Sequence, residues 1–176
     1  MWNSQVIIML LEGIRDTLYM TLASTLFGYI IGLPMGIVLT VTDKDGIRPN
    51  AAVYKVLDVI SNLLRSIPFI ILLIVLIPFT RFVVGRSYGS TATIVPLTIA
   101  AAPYIARMVE SSLKEVDAGV IEAARSMGAS DFQIVTKVML VEARTSLIVG
   151  ATISLGTILG YSAMAGTVGG GGLGDI

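Results

Sequence analysis

TLYMTLASTLFGYIIGLPMGIVLTV, residues 17–41, is the stretch on which the fold turns. Asp16 and Asp43 bracket 26 residues without a single charge. A helix rises about 1.5 Å per residue and a bilayer core is about 30 Å thick, so roughly 20 apolar residues cross it. Residues 17–41 meet that length. Gly28, Gly32 and Gly36 recur at i, i+4 on one face, a small-residue stripe against which a second helix can pack closely. Outward from this segment the pattern repeats. Arg86 and Arg107 enclose 20 uncharged residues, and Arg144 and Asp175 enclose 30. The 176 residues are 55% hydrophobic and only 14% charged, with a mean hydropathy of +0.86. A soluble all-α protein with buried helices is the alternative, and charge this segregated argues against it. The expected fold is an all-α integral membrane protein, a polytopic helical bundle. Its four spans lie near 17–41, 54–80, 87–108 and 132–167, within one domain covering 1–176.

Several functions are excluded at once. Net charge is zero and no basic run is interleaved with aromatics, so no nucleic-acid partner is expected. The chain has neither Cys nor His, which removes disulfides, thiol nucleophiles, imidazole bases and the common zinc sites. The start, MWNSQVIIMLLEGIRD, lacks a basic n-region and a small-residue cleavage site, so no signal peptide is expected. Its apolar run Val6–Leu11 is too short to span and is expected at the interface.

The second span is the irregular one. Arg65 and Arg81 enclose only SIPFIILLIVLIPFT, 15 uncharged residues. A spanning helix must therefore begin near Tyr54. Lys55, Asp58, Asn62 and Arg65 then share one face, a stripe that must turn to protein or water because charge facing lipid is costly. Asp58 and Arg65 are two turns apart, about 10 Å, too far to pair. Pro68 and Pro78 are expected to kink or weaken this helix. Five of the six prolines fall within the spans; broken helices of that kind suit a transport path more than an anchor. Lys44, Arg48, Lys55, Arg107, Lys114, Arg125, Lys137 and Arg144 fall on one side of the bundle. Arg15, Arg81 and Arg86 fall on the other. That bias puts the first set in the cytoplasm and the N-terminus outside.

The cytoplasmic loop 109–131 is the most structured connection. Apolar residues at 113, 116, 120, 124 and 127 have a helical period. Lys114, Glu115, Asp117, Glu122 and Arg125 lie opposite. Gly128 stops the helix as a C′ glycine does. Ser130 with Gln133 reads as a capping box for the next one. Two readings compete: an interfacial helix lying on headgroups, or a low-relief surface of Ala123, Ala124, Gly128 and Ala129 that docks into another protein. Basic residues do not dominate the polar face, which favours docking.

EAARSMGAS followed by FQIVTKVML resembles the EAA loop of ABC importer permeases, in sequence, spacing and position between two spans. The resemblance implies that Glu122, Ala123, Ala124, Gly128 and Ala129 form a coupling helix and turn that dock on a separate ATPase. ATP and Mg would then bind that partner, and no cofactor binds this chain. LRSIPFIILLIVLIPFTRFVVG, TATIVPLTIAAAPYIARMVE and AGTVGGGGLGD further resemble the membrane subunit of D-/L-methionine ABC importers. That family implies a homodimer, two ATPase copies, and an extracytoplasmic binding protein or lipoprotein, in the plasma membrane of a prokaryote. It implies uptake of methionine, with another amino acid, or a subunit of a non-ABC secondary transporter, as alternatives. Two departures stand out. Val141 follows Leu140 where the family often has Pro, which leaves the entry angle of the last span open. The family also has a fifth span, and this chain, stopping at Asp175–Ile176, is expected to be truncated before it.

The remaining motifs have plainer readings. Gly166, Gly169–Gly172 and Gly174 lack the Lys-Ser/Thr of a phosphate loop and are expected to form a flexible loop at the mouth of the pathway. Asp58, Glu110 and Glu142 could form a proton relay, but salt-bridging near the membrane surface is the expectation. No pair or triad for hydrolysis is present. The methionines read as packing filler, except Met164 in SAMAG, which with Ser162 and Pro68 is the candidate for gate or pathway.

Overall fold

The computed structural model describes residues 4–176, and among these every regular element is helical. Helix α1 (Ser4–Thr42) is 39 residues long, about 58 Å at 1.5 Å per residue. It therefore outruns a bilayer core. The Val6–Leu11 run is not a separate interfacial segment: it forms the first turns of α1, because no proline interrupts the chain between it and residue 17. The glycine stripe does what its spacing requires. Gly28, Gly32 and Gly36 are all buried. A Cβ on Gly32 would stand 2.6 Å from the carbonyl oxygen of Ala102 and 2.9 Å from Ile105 Cβ. The other side of α1 leaves Leu18, Leu22, Leu26 and Ile30 exposed, as a lipid-facing surface would.

The helix against which this stripe packs is α5 (Ser90–Lys114). It is the axis of the bundle: 67% of its most apolar window is buried, against 28% for α1 and 22% for α9 (Arg144–Gly166). Leu97, Ala101, Ile105 and Val109 line its core face. Pro96 and Pro103 lie within it, buried, and the helix continues through both. It runs to Lys114 rather than ending near Met108, since Arg107, Glu110 and Lys114 pair along it at i, i+3 and i, i+4.

The second span differs most from expectation. Instead of one helix over 54–80 there are three pieces: α2 (Ala51–Ser66), α3 (Phe69–Val75) and α4 (Ile77–Val84). Between α2 and α3 the axis turns by 103°. The cause is local. Proline disfavours helical backbone at the residue before it, and Ile67 is extended, with φ −82° and ψ 124°. Pro68 and Pro78 thus stand at helix starts, where a missing N–H is harmless. Among the described residues three helices, α1, α5 and α9, are long and apolar enough to cross a membrane; the bent α2–α3 pair makes a fourth if it is counted as one.

The connection to α9 is also built differently. A helical run opens at α7 (Asp131–Gln133), widens into a π-helical stretch, Ile134–Met139, and closes with α8 (Leu140–Glu142). Ala143 then breaks the run, so the membrane-length helix begins at Arg144 and not near Phe132. Backbone bonds still bridge the break, from Ala143 N to Met139 O and from Leu147 N to Ala143 O, both 2.9 Å. A π-stretch redirects a helix without cutting it.

Loops sort to the two ends of the bundle. At one end Ser90 bonds Asp16 (2.6 Å) and Leu173 N bonds Thr17 Oγ1 (2.9 Å). At the other Lys114 pairs with Asp43 (2.8 Å) and Arg125 bonds the carbonyl of Ile47 (2.9 Å).

Candidate functional site

The end that carries Lys114 and Arg125 holds the expected docking element. One helix does not run from 113 to 127. Leu113 belongs to α5, and the chain turns at 115–117 before α6 (Ala118–Ser126) begins. Asp117 forces the division: as N-cap it accepts from Gly119 N at 2.8 Å, a role that needs non-helical backbone. At the other end the chain closes in a Schellman turn. Gly128 N donates to Arg125 O (2.9 Å) and Ala129 N to Ala124 O (3.1 Å). Gly128 has φ +83°, left-handed backbone that a Cβ penalises. The capping box follows as its residues imply. Gln133 N donates to Ser130 Oγ (3.3 Å), and Ser130 N donates to Gln133 Oε1 (2.9 Å).

This geometry divides the five docking candidates in two. Ala124 is buried in the core cluster with Ile134 and Met139, and Ala129 packs against that cluster. They fasten the element to the bundle. Glu122, Ala123 and Gly128 face outward. Beside them are two side chains that pattern reading missed. Met127 is 82% exposed and Phe132 77% exposed, one on each side of the glycine turn. Met127 is therefore not packing filler. Large apolar groups standing out beside a turn are candidates for a contact site.

Beneath α6 lies a charged network. Arg107 pairs with Asp58 and, at 2.6 Å, with Glu110; it also donates to Asn62 Oδ1 at 3.1 Å. Glu110, buried, accepts from Lys114 (2.8 Å) and from the Tyr54 hydroxyl (3.2 Å). Lys114 pairs onward with Asp43 and lies 5.7 Å from the Tyr54 ring centroid. The Lys114 ammonium holds the Asp43 carboxyl below the usual carboxylate range, with partial burial opposing. Asp58 and Asn62 of the polar stripe thus meet a partner on α5, while Lys55 and Arg65 of the same stripe form no ion pair among the described residues. Asp58 and Glu110 belong to this network and Glu142 does not, so the three carboxylates form no chain. Salt-bridging of Asp58 and Glu110 was the expectation; the pairs along α5 and the cross-helix role of Arg107 were not read from the sequence.

At the opposite end the glycine-rich segment is packed, contrary to the flexible loop expected. Gly89 N donates to Gly169 O (2.9 Å), and Thr93 Oγ1 donates to Gly170 O (3.0 Å). The backbone of Gly174 lies so close to Gly166 that no side chain fits between them. Glycine serves close backbone approach here. Of the three pathway candidates, Ser162 is buried on α9 and donates to Leu159 O (2.8 Å). Met164 points outward, 45% exposed. Pro68 starts α3, whose Phe69 stacks on Tyr161 of α9 with centroids 4.8 Å apart. One copy brings no constriction together at Met164. No cluster of three His, Cys, Asp or Glu that could hold a metal occurs among the described residues.

Residues 9–176 match the family described as the binding-protein-dependent transport system inner membrane component. The chain belongs to this family. It is 55% identical over 158 residues to the D-methionine transport system permease protein MetI of Salmonella typhimurium strain LT2, covering 90% of this chain and 73% of that one. It is 53% identical over 155 residues to the protein of the same name from Yersinia pestis, covering 88% and 71%. A chain from the inward facing conformations of the MetNI methionine ABC transporter superposes with a TM-score of 0.97 at 53% identity, covering 99% of this chain and 81% of that one. An amino acid ABC transporter crystallised with histidines matches at a TM-score of 0.78 and 22% identity, a likeness of fold. In this permease, then, the α6–Gly128–α7 element sits on a transport subunit of known family. The bent second span and the π-stretch before α9 are parts of the same bundle.

Proposed function

We propose that this chain is the membrane-spanning permease subunit of an ATP-driven importer for methionine. It works as a homodimer with two copies of a separate ATPase, and an extracytoplasmic binding protein or lipoprotein delivers the substrate. Relatives named for D-methionine transport, alike over nine-tenths of the chain, support the substrate. One observation carries the mechanism: a short helix fastened by Ala124 and Ala129 exposes Met127 and Phe132 at one end of a membrane bundle. The excess of Lys and Arg on that end supports a cytoplasmic placement, with the N-terminus outside in the plasma membrane of a prokaryote. ATP and Mg bind the ATPase. When the ATPases close, Glu122, Ala123, Met127, Gly128 and Phe132 move with them. The bonded run 131–142 passes the motion to α9, and so to Ser162 and Met164, with Pro68 at the facing bend. One subunit of so few helices is too slight to wall a path across the membrane, so the path lies between two copies, where an outward-pointing Met164 can meet its symmetry mate.

The chain has no cysteine, so Met127→Cys and Phe132→Cys give clean crosslinking positions. Reconstituted with ATPase and binding protein, both should crosslink to the ATPase, and vesicles should take up methionine only with ATP. Capture of phospholipid alone from both positions overturns the docking reading. Uptake that stops on ionophore collapse of the proton gradient, with ATP still present, makes the chain part of a secondary transporter. Uptake of another amino acid in place of methionine corrects the substrate alone.

A further inference from the structure

The last piece of the second span meets the glycine-rich segment over a polar group that neither the coupling element nor the charged network uses. Thr80 of α4 is 3% exposed, and its Oγ1 has no hydrogen-bond partner among the described residues. A buried hydroxyl left unpaired is costly, so this group calls for a partner. Thr80 lines a cavity of about 10 Å³ together with Leu73, Ala92, Thr93, Pro96 and Gly170. Helices α3, α4 and α5 and the glycine-rich segment therefore converge on it. The walls supply further polar groups. Pro96 has no N–H, so the Ala92 carbonyl four residues earlier has no α-helical donor. Thr93 Oγ1 carries one hydrogen, with Gly170 O at 3.0 Å and Gly89 O at 3.1 Å as alternative acceptors. Its lone pairs are left to accept. Among the described residues no charged side chain lines the cavity. A small neutral ligand that accepts once and donates twice fits this set. A water needs about 10–15 Å³ and two to four polar partners, so the cavity takes one water and nothing larger. Ser87, exposed at its edge, gives access from that end of the bundle.

We propose that Thr80, Ala92 and Thr93 bind one ordered water, which joins α4 to α5 and, through Thr93, to the glycine-rich segment. The Thr80 hydroxyl donates to the water. The water donates to the Ala92 carbonyl and to Thr93 Oγ1. The carbonyl freed by Pro96 and the hydroxyl of α4 thus satisfy each other through it, as polar groups buried in a bilayer require. Because α4 lies beyond the bend in the second span, the water fastens the end of that broken span to the axis of the bundle. The inference does not rest on the importer reading: the hydration site stands or falls whatever the chain carries.

The test uses the full complex in lipid nanodiscs. Cryo-electron microscopy at a resolution that shows waters should reveal one density peak about 2.7–3.2 Å from both Thr80 Oγ1 and Ala92 O. Hydroxyl radicals generated by X-rays label side chains beside an ordered water even where bulk solvent does not reach, so Leu73, only 9% exposed, should be labelled. Thr80→Val keeps the shape and removes the hydroxyl, and should lower that labelling about three- to tenfold, the loss of one hydrogen bond. Thr80→Ser should retain it. Pro96→Ala gives the Ala92 carbonyl its own donor and should lower the labelling as Thr80→Val does. Backbone hydrogen exchange at residues 168–170 should rise in Thr80→Val and not in Thr80→Ser. A Thr80 hydroxyl bonded directly to a protein carbonyl, no density between Thr80 and Ala92, a peak at short metal–oxygen distances, or equal Leu73 labelling in Thr80→Val and wild type overturns the site. The density needs no variant, so misassembly of Thr80→Val leaves the inference falsifiable.

Discussion

Gly128 offers a test in which geometry separates two causes. It ends α6 at φ +83°, and a Cβ built there meets nothing within 4 Å. Any loss on substitution therefore comes from backbone conformation and not from a clash inside the chain. A left-handed residue costs an L-amino acid roughly 1–2 kcal/mol; Asn tolerates it best and β-branched residues worst. Gly128→Asn should fall well under 1 kcal/mol, Gly128→Ala near 1, and Gly128→Val at 2 or more. About 2 kcal/mol is a factor of roughly 30 in the population of the turn. The two Schellman bonds, Gly128 N to Arg125 O and Ala129 N to Ala124 O, open together, so α6 loses its hold on the bundle. The assay is ATP-driven uptake with crosslinking from position 127, in complexes shown to carry ATPase in wild-type ratio. Uptake should fall in the order Gly, Asn, Ala, Val. If Val equals Gly, the left-handed turn has no part in coupling. If Asn is as damaging as Val, side-chain bulk against the ATPase decides, and the conformational argument is wrong.

Three further outcomes follow from the packing and the charges. Gly32→Ala pushes a Cβ to 2.6 Å from the Ala102 carbonyl and should destabilise by about 1–3 kcal/mol in detergent melts. Gly156→Ala, with nothing within 4 Å inside the chain, should instead gain up to about 1 kcal/mol from helix propensity; equal effects at the two sites would dissolve the stripe argument. Arg107→Met takes from Asp58 its ion-pair partner while Glu110 keeps Lys114, and should lose about 1–3 kcal/mol, partly recovered in the double variant with Asp58→Asn. Asp43 has a folded pKa below its ordinary value of about 3.9, so its stabilising pair with Lys114 is fully present above that pH and is lost as pH falls through the lower folded value. The stability gap between wild type and Asp43→Asn should therefore close below about pH 4; a gap that widens there reverses the sign of the argument.

Much of the site was legible from local rules. Gly128, the Ser130–Gln133 box and the Gly28–Gly32–Gly36 stripe each depend on residues within a few positions of one another, and each appears where its spacing put it. The errors share a cause. Val6–Leu11 looked too short alone because a count of apolar residues does not say where a helix starts. The period from 113 to 127 ran across two helices because Asp117 can cap or continue a helix with equal ease on paper. The glycine-rich segment looked loose because composition cannot show Thr93 and Gly89 bonding into it. Phe132 and Met127 had no signal of exposure, since an apolar residue beside a turn faces the core or the solvent depending on what packs behind it.

Sequence alone determined that this chain lives in a bilayer, that its helices approach through glycine, and that a capped, glycine-ended helix sits between two spans. These are consequences of hydrocarbon thickness, of the missing Cβ, and of the valence of short polar side chains. Tertiary structure decided which charges meet, where the second span turns, and which side of α6 is left free. Those depend on distances between residues far apart in the chain, such as Asp58 and Arg107, and a one-dimensional pattern holds no such distance.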